Sequence, residues 1–247
     1  MSDFMRLDKY LTELNLGTRS RVKAIIGKGR VTVNGEIAKR PELKINPKQD
    51  TVTLDGKSLS YEQYEYYMLY KPQGFVSATE DNLHKTVIDI ITDETNTNHS
   101  TKKDLFPVGR LDIDTEGLLF ITNDGLLSHN LLSPNKHVQK TYFAKIEGRV
   151  TEADVKIFAD GMDIGEKNLT KPAKLVIDKS DDISEITVTI TEGKFHQVKR
   201  MFEHVGKKVI YLKRIAMGSL VLDENLQPGG FRRLKEEELN TLKGQDR

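Results

Sequence analysis

The seventeen residues from Gly109 to Gly125, GRLDIDTEGLLFITNDG, carry the strongest chemical signal in the chain. Asp112 falls at a predicted turn two residues after Arg110, with Asp114 as its nearest acidic neighbour. A carboxylate fixed at a turn beside a cation can serve as a nucleophile or a general base. Aspartate at a turn more commonly caps a helix or closes an Asx-turn. The elements around it must therefore decide between the two.

An apolar run, Leu118 to Ile121, follows as a predicted strand, then the polar turn Thr122 to Gly125 and a predicted helix from Leu126 to Leu132. Lys140-Thr141-Tyr142 opens another strand that continues to Ile146. Tyrosine in a strand is ordinarily a core or interface residue. Thr151 and Asp154 have capping-box spacing for a helix running to about Ala159. Glu185 to Thr191 alternates as a strand. The segment KFHQVKRMFEHVG, residues 194 to 206, predicts a helix with Val198, Met201, Phe202 and Val205 on its apolar face and Gly206 at its end. Arg200 lies opposite that face and Lys199 on its flank, from which a long cation can bend toward a cleft.

Nearer the N-terminus, Leu7, Tyr10, Leu11 and Leu14 form one helical stripe, and Thr18 can cap a second helix that buries Val22, Ile25 and Ile26. That helix presents Arg19, Arg21 and Lys23 to solvent, with Lys28 and Arg30 just beyond it. Val31 to Val33 then alternates into Asn34-Gly35, a strong hairpin signal, and short strands are expected around Ile45 and from Thr51 to Leu54. A polar, tyrosine-rich connector from Tyr61 leads to a strand at Met68 to Tyr70, broken by Lys71-Pro72-Gln73-Gly74 and resumed at Phe75 to Ser77. Thr86 to Ile91 reads as a short helix and Asn96 to Lys103 as an exposed loop.

The chain of 247 residues has a net charge of only +1, but the charge is unevenly placed. Residues 1 to 60 contain twelve basic and seven acidic side chains, giving +5 there and −4 elsewhere. A basic module on a mildly acidic body suits a polyanionic partner. Absence of cysteine excludes disulfides, thiolate catalysis and Cys-ligated zinc. The six histidines lack HxxxH or HExxH spacing, so no metal site is expected. No Walker A loop, GxSxG elbow or dinucleotide GxGxxG is present, which removes NTPase, hydrolase and dinucleotide readings. The N-terminal residues lack the apolar core of a signal peptide and no run reaches membrane-spanning length, so a soluble, cytoplasmic protein is expected. No association helix is evident, and a monomer is expected.

The ordered segments RLDKYL and TRSRVKAIIGKGRVTVNG resemble the S4 RNA-binding domain. The segments YKPQGFVSA, GRLDIDTEGLLFITNDG, KTY and GKFHQVKRM resemble the successive signatures of RNA pseudouridine synthases of the RsuA type. The resemblance covers essentially the whole chain. It implies an α+β protein with an S4-like domain at 1–60, a linker at 61–66 and a catalytic domain at 67–247. The catalytic domain would be built on a mixed, mostly antiparallel sheet with flanking helices. It further implies that Asp112 is the catalytic residue, that Tyr142 stacks on the target base, and that Lys199 pairs with the aspartate. Such pairing would keep the carboxyl ionised, as a nucleophile requires.

The implied reaction isomerises a uridine to pseudouridine and needs no cofactor, because no atoms are gained or lost. Attack at C1′, attack at C6 and assistance of a glycal route all remain open to Asp112. Arg110 can bind a phosphate beside the flipped nucleotide, and Arg19, Arg21, Lys23, Lys28, Arg30 and Arg200 are candidates for RNA contacts. HQVKR and LTKPA look more like the small-subunit branch, so 16S ribosomal RNA is the expected substrate, free or in a partly assembled subunit. The alternatives are a synthase acting on 23S rRNA and a non-catalytic S4-type assembly factor. An S4-bearing methyltransferase would need a glycine-rich nucleoside-binding turn, and none is present.

Overall fold

A computed structural model describes residues 4–14, 16–59, 61, 64–94 and 104–244. The predicted loop at 96–103 lies outside the described residues. Backbone contacts divide the chain into two compact units, Met1–Tyr64 with Thr92–Asp104, and Glu65–Ile91 with Leu105–Arg247.

The first unit contains β1 (Met5–Arg6), α1 (Leu7–Glu13), α2 (Arg19–Gly27), β2 (Val31–Val33), β3 (Glu36–Ile37), β4 (Lys44–Ile45), β5 (Val52–Leu54) and β6 (Lys57–Leu59). The stripe on α1 is buried at Leu7, Tyr10 and Leu11 against Val22, Ile26, Val31, Ile45 and Val52. The Thr18 hydroxyl caps α2 by accepting from the backbone nitrogen of Arg21. Asn34 and Gly35 have φ of 53° and 86°, the paired positive values that a tight I′ hairpin turn requires. They join β2 to β3 in the sheet order β3-β2-β5-β6.

The second unit opens with β7 (Tyr66–Lys71), α3 (Val87–Glu94), β8 (Phe106–Val108), β9 (Glu116–Thr122), α4 (Gly125–Leu132) and β10 (Lys140–Glu147). It continues through α5 (Glu152–Asp160), β11 (Lys174–Lys179), β12 (Ile183–Ile190), α6 (Gln197–His204), β13 (Lys208–Met217), β14 (Leu220–Val221), β15 (Phe231–Arg233) and α7 (Glu236–Gly244). Nine strands form one sheet of order β11-β12-β10-β13-β9-β7-β15, with β14 on β13 and β8 on β9. Only the β13–β9 pair is parallel, so the sheet is mixed and mostly antiparallel. One face of the sheet buries Tyr142, Ala144, Val188 and Leu212 together with Val198, Met201 and Phe202 of α6. Another cluster holds Met68, Leu118 and Phe120 with Leu127 and Leu131 of α4. No described helix is long and apolar enough to cross a membrane.

Two local expectations fail. Phe75 to Ser77 does not resume a strand. Gly74 turns with φ 85°, and only an isolated bridge from Val76 to Thr86 follows, because the backbone there is diverted to the Asp112 loop. The helix expected from Lys194 begins only at Gln197. His196 takes a left-handed conformation, φ 49°, and the Gln197 side chain accepts from the Lys194 backbone nitrogen. That turn swings residues 194–196 out of helical register.

Candidate active site

Asp112 sits in the segment between β8 and β9, and the end of β7 fixes that segment. Lys71 is fully buried, and its ammonium donates to the carbonyl oxygens of Pro72 (3.0 Å), Asp112 (3.0 Å) and Thr115 (2.9 Å). The Ser77 hydroxyl donates to the Leu111 carbonyl at 2.9 Å and accepts from its nitrogen at 3.0 Å. The Gly74 nitrogen donates to the Ile113 carbonyl at 2.8 Å. Three consecutive residues are thus held by backbone bonds, which aims the Asp112 side chain without occupying its oxygens. Burial pulls the Lys71 ammonium down to about 8, against the opposing pull of Asp112, Asp114 and Glu116.

From α6, Lys199 reaches back to this segment. Its Nζ lies 3.2 Å from Asp112 Oδ2 and 2.6 Å from Asp114 Oδ1. Burial works against the Lys199 charge, but the Asp114 hydrogen bond and the Asp112 charge hold its pKa above the usual lysine value. For Asp114, burial is likewise outweighed by Lys199, and its carboxyl stays below the usual range. His196 places Nε2 3.6 Å from Asp112 Oδ1, beyond hydrogen-bond reach. The His196 ring stacks on Phe195 with centroids 3.8 Å apart. The shorter lysine contact goes to Asp114. Asp112 therefore remains charge-compensated with 30% of its side chain still open.

Asp112, Phe195, His196 and Lys199 line a cleft of about 940 Å³. Its wall includes Arg110, Asp112, Lys140, Tyr142, Lys199 and Arg214. Tyr142 is buried on β10, opposite Val188 of β12 and Arg214 of β13. Arg110 is exposed at the cleft wall. Among the described residues, no three His, Asp or Glu side chains converge as a metal-ligating group.

The structure thus brings Asp112, Tyr142, Lys199 and Arg110 to one cleft. Arg200 is engaged elsewhere. Its guanidinium donates to Glu166 Oε1 (2.8 Å) and to the carbonyls of Phe195 and Ile164, so its observed partners are internal rather than open to a ligand. Arg19, Arg21, Lys23, Lys28 and Arg30 are exposed on the first unit, and Arg30 is paired with Asp55. Sequence reading missed Lys71, Ser77, His196 and Arg214. A lysine closing the apolar strand YYMLYK and an arginine inside a β-strand are the signals that were available.

The first unit is a basic α+β unit, and the sheet unit holds a cleft lined by a cation-paired carboxylate and a tyrosine. Residues 65–204 match the family model described as RNA pseudouridylate synthase, and residues 5–52 match the S4 domain. The chain belongs to the RNA pseudouridylate synthase family and is an RNA pseudouridine synthase with an N-terminal S4 domain. It is 44% identical to the uncharacterized RNA pseudouridine synthase YtzG of Bacillus subtilis, over 96% of this chain and 98% of that one. It is 40% identical to the ribosomal small subunit pseudouridine synthase A of Escherichia coli, over 96% of this chain and 100% of that one. A crystal structure of a pseudouridylate synthase superposes with a TM-score of 0.66 at 38% identity, covering 96% of this chain and 99% of the other.

Proposed function

We propose that the protein converts one uridine of 16S ribosomal RNA to pseudouridine, with Asp112 as the reacting carboxylate and no cofactor. The observation that carries this reading is the Lys199–Asp112 contact at 3.2 Å in a cleft that Tyr142 also lines. The 16S assignment is supported by 40–41% identity over nearly the full chain to ribosomal small subunit pseudouridine synthases A of Escherichia coli and Yersinia pestis.

Isomerisation must break the N1–C1′ bond, turn the uracil and rejoin it through C5. A cleft of this size admits a flipped nucleotide, and the tyrosine supplies an aromatic face for the base. Lys199 sets its ammonium 3.2 Å from the Asp112 carboxylate, and Lys71 keeps the Asp112 backbone in place. Whether the carboxylate captures C1′, adds to C6 or takes a ribose proton, a single ionised oxygen aimed at the nucleoside is what each route needs. Uracil departs as a delocalised anion, so a second carboxylic acid to protonate the leaving group is unnecessary. Arg110 at the cleft wall suits a phosphate next to the flipped residue.

Asp112→Asn is expected to lower pseudouridine formation at least about 10⁴-fold while RNA affinity changes less than about twofold. Pseudouridine mapping of rRNA from cells lacking the protein should show one 16S position lost, restored by the wild type and not by the variant. A lost 23S position would move the target. Persistence of every pseudouridine would favour an assembly role.

A further inference from the structure

One group of charges in the cleft has no part in the scheme above. Strand β10 carries Lys140 and Tyr142 on one face, since they are two residues apart. Strand β13 adds Leu212 and Arg214 to that face through the pairs Ala144–Leu212 and Tyr142–Arg214, and all of these but Ala144 line the cleft. Arg214 is 1% exposed. Its Nε donates to the Leu118 carbonyl at 2.7 Å, whereas its Nη2 is buried and finds no hydrogen-bond partner among the described residues. The Lys140 ammonium has one weak acceptor, the Val138 carbonyl at 3.4 Å. Glu192, the carboxylate whose field reaches Lys140, is occupied by the backbone nitrogen of Lys171 and the Gln197 amide, each at 2.9 Å. Lys199 differs, because two aspartates already compensate it.

Burial and then the repulsion of Arg214 push the Lys140 ammonium below its usual range. A half-buried cation that repels a fully buried one, which has an idle donor, is destabilising unless a ligand brings negative charge and acceptor oxygens. We propose that Lys140 and Arg214 form an oxyanion floor that holds the detached uracil ring as its anion while it turns.

This rests on the uridine-isomerising reading of the cleft. When N1–C1′ breaks, the base leaves with the bonding pair and its charge spreads over N1 and the two carbonyl oxygens. The C5–C1′ bond then forms from the C5=C6 π pair as the N1 pair moves into the N1–C6 bond, C5 releases its proton and N1 takes one up, so atoms and charge balance. Without a counter-charge the free base would be pulled toward water midway. A phosphate shares the same oxyanion chemistry, but it stays on the RNA chain, and the exposed Arg110 is better placed for it than an arginine 1% exposed.

The test measures binding of free uracil, barbiturate and inorganic phosphate to the full-length protein by ligand-observed NMR at neutral pH. Barbiturate is a planar pyrimidine that is anionic there, whereas uracil is neutral. The wild type should bind barbiturate at least about tenfold more tightly than uracil, the worth of one charge-assisted contact. Lys140→Met should keep uracil affinity and lose most of that preference, and should lower kcat with KM for RNA unchanged. Arg214→Lys, which keeps a charge at the buried position, should reduce the preference by less. Equal affinity for the two pyrimidines, or a preference untouched in both variants, overturns the proposal and leaves the uridine cleft intact. Phosphate that binds more tightly than barbiturate and displaces it would reassign the floor to the RNA backbone. Failure of both pyrimidines to bind would count against the uridine cleft itself.

Discussion

Asp112 and Asp114 compete for one ammonium, and the outcome sets how free the oxygen proposed to react is. Lys199 gives its shorter bond to Asp114. Asp114→Asn should therefore draw the lysine fully onto Asp112, and a tighter partner makes a poorer nucleophile. Single-turnover rates are expected to fall roughly threefold to tenfold, against about 10²-fold or more for Lys199→Met, which leaves both carboxylates uncompensated. Lys71 sets a pH limit. Its protonated amine can supply three donors to the carbonyls of Pro72, Asp112 and Thr115, and loses one as pH rises through about 8. The rate should decline on that limb, and Lys71→Met should be slower at neutral pH and lack it. The folded pKa lies below the ordinary lysine value. Between the two, the unfolded chain binds more protons, so this group's contribution to global stability rises with pH while the rate falls. A stability titration alongside the rates separates the two. That Asp112, Tyr142 and Lys199 share one cleft was legible in the sequence because each stands in a motif of fixed order. Lys71 was not, since its partners are main-chain oxygens that only tertiary pairing delivers.

The parallel contact of β9 with β13 is the element that assembles the cleft. It registers Lys213 with Glu116 and Arg214 with Gly117, directly after the Asp112 segment. Gly117 has φ 106°, and a Cβ there would overlap the Arg214 carbonyl oxygen and come 2.7 Å from its nitrogen. Gly117→Ala should cost about 3 kcal/mol by pushing the strands apart. Calorimetry should show Tm lower by roughly 6–12 °C. Strands with clean alternation, such as Ile183–Ile190, were legible, as were the capped helices α2 and α5. Strand β13 was not, because KVIYLKRIAM intersperses cations that look like a solvated patch until Arg214 is seen buried. The early start assigned to α6 failed for a related reason. Apolar spacing was present, but the left-handed His196 that ends the preceding turn leaves no trace in residue type.

Across the whole molecule, the proposed function divides affinity and chemistry between the two units. The first unit carries exposed Arg19, Arg21 and Lys23 on one helix, and residues 1–60 are at +5 against −4 elsewhere. Replacing all three with Gln is expected to weaken RNA binding and to reduce the slope of log K against log salt by about 2–3, as lost phosphate contacts do. The turnover rate at saturating RNA should stay within about twofold. Filter binding at several salt concentrations checks the first statement and single-turnover kinetics the second. The S4 order of elements was legible because its helical stripe and Asn-Gly turn are local signals. The nine-stranded order of the second unit was not, since it pairs segments far apart in sequence. Cleft residues at 112, 142, 199 and 214 come from four such segments, and β13 lies between β10 and β9. A nascent polypeptide released before residue 217 would lack the central partner of two earlier strands. The cleft can thus form only after residues through 217 have left the ribosome, which ties its assembly to the synthesis of β13.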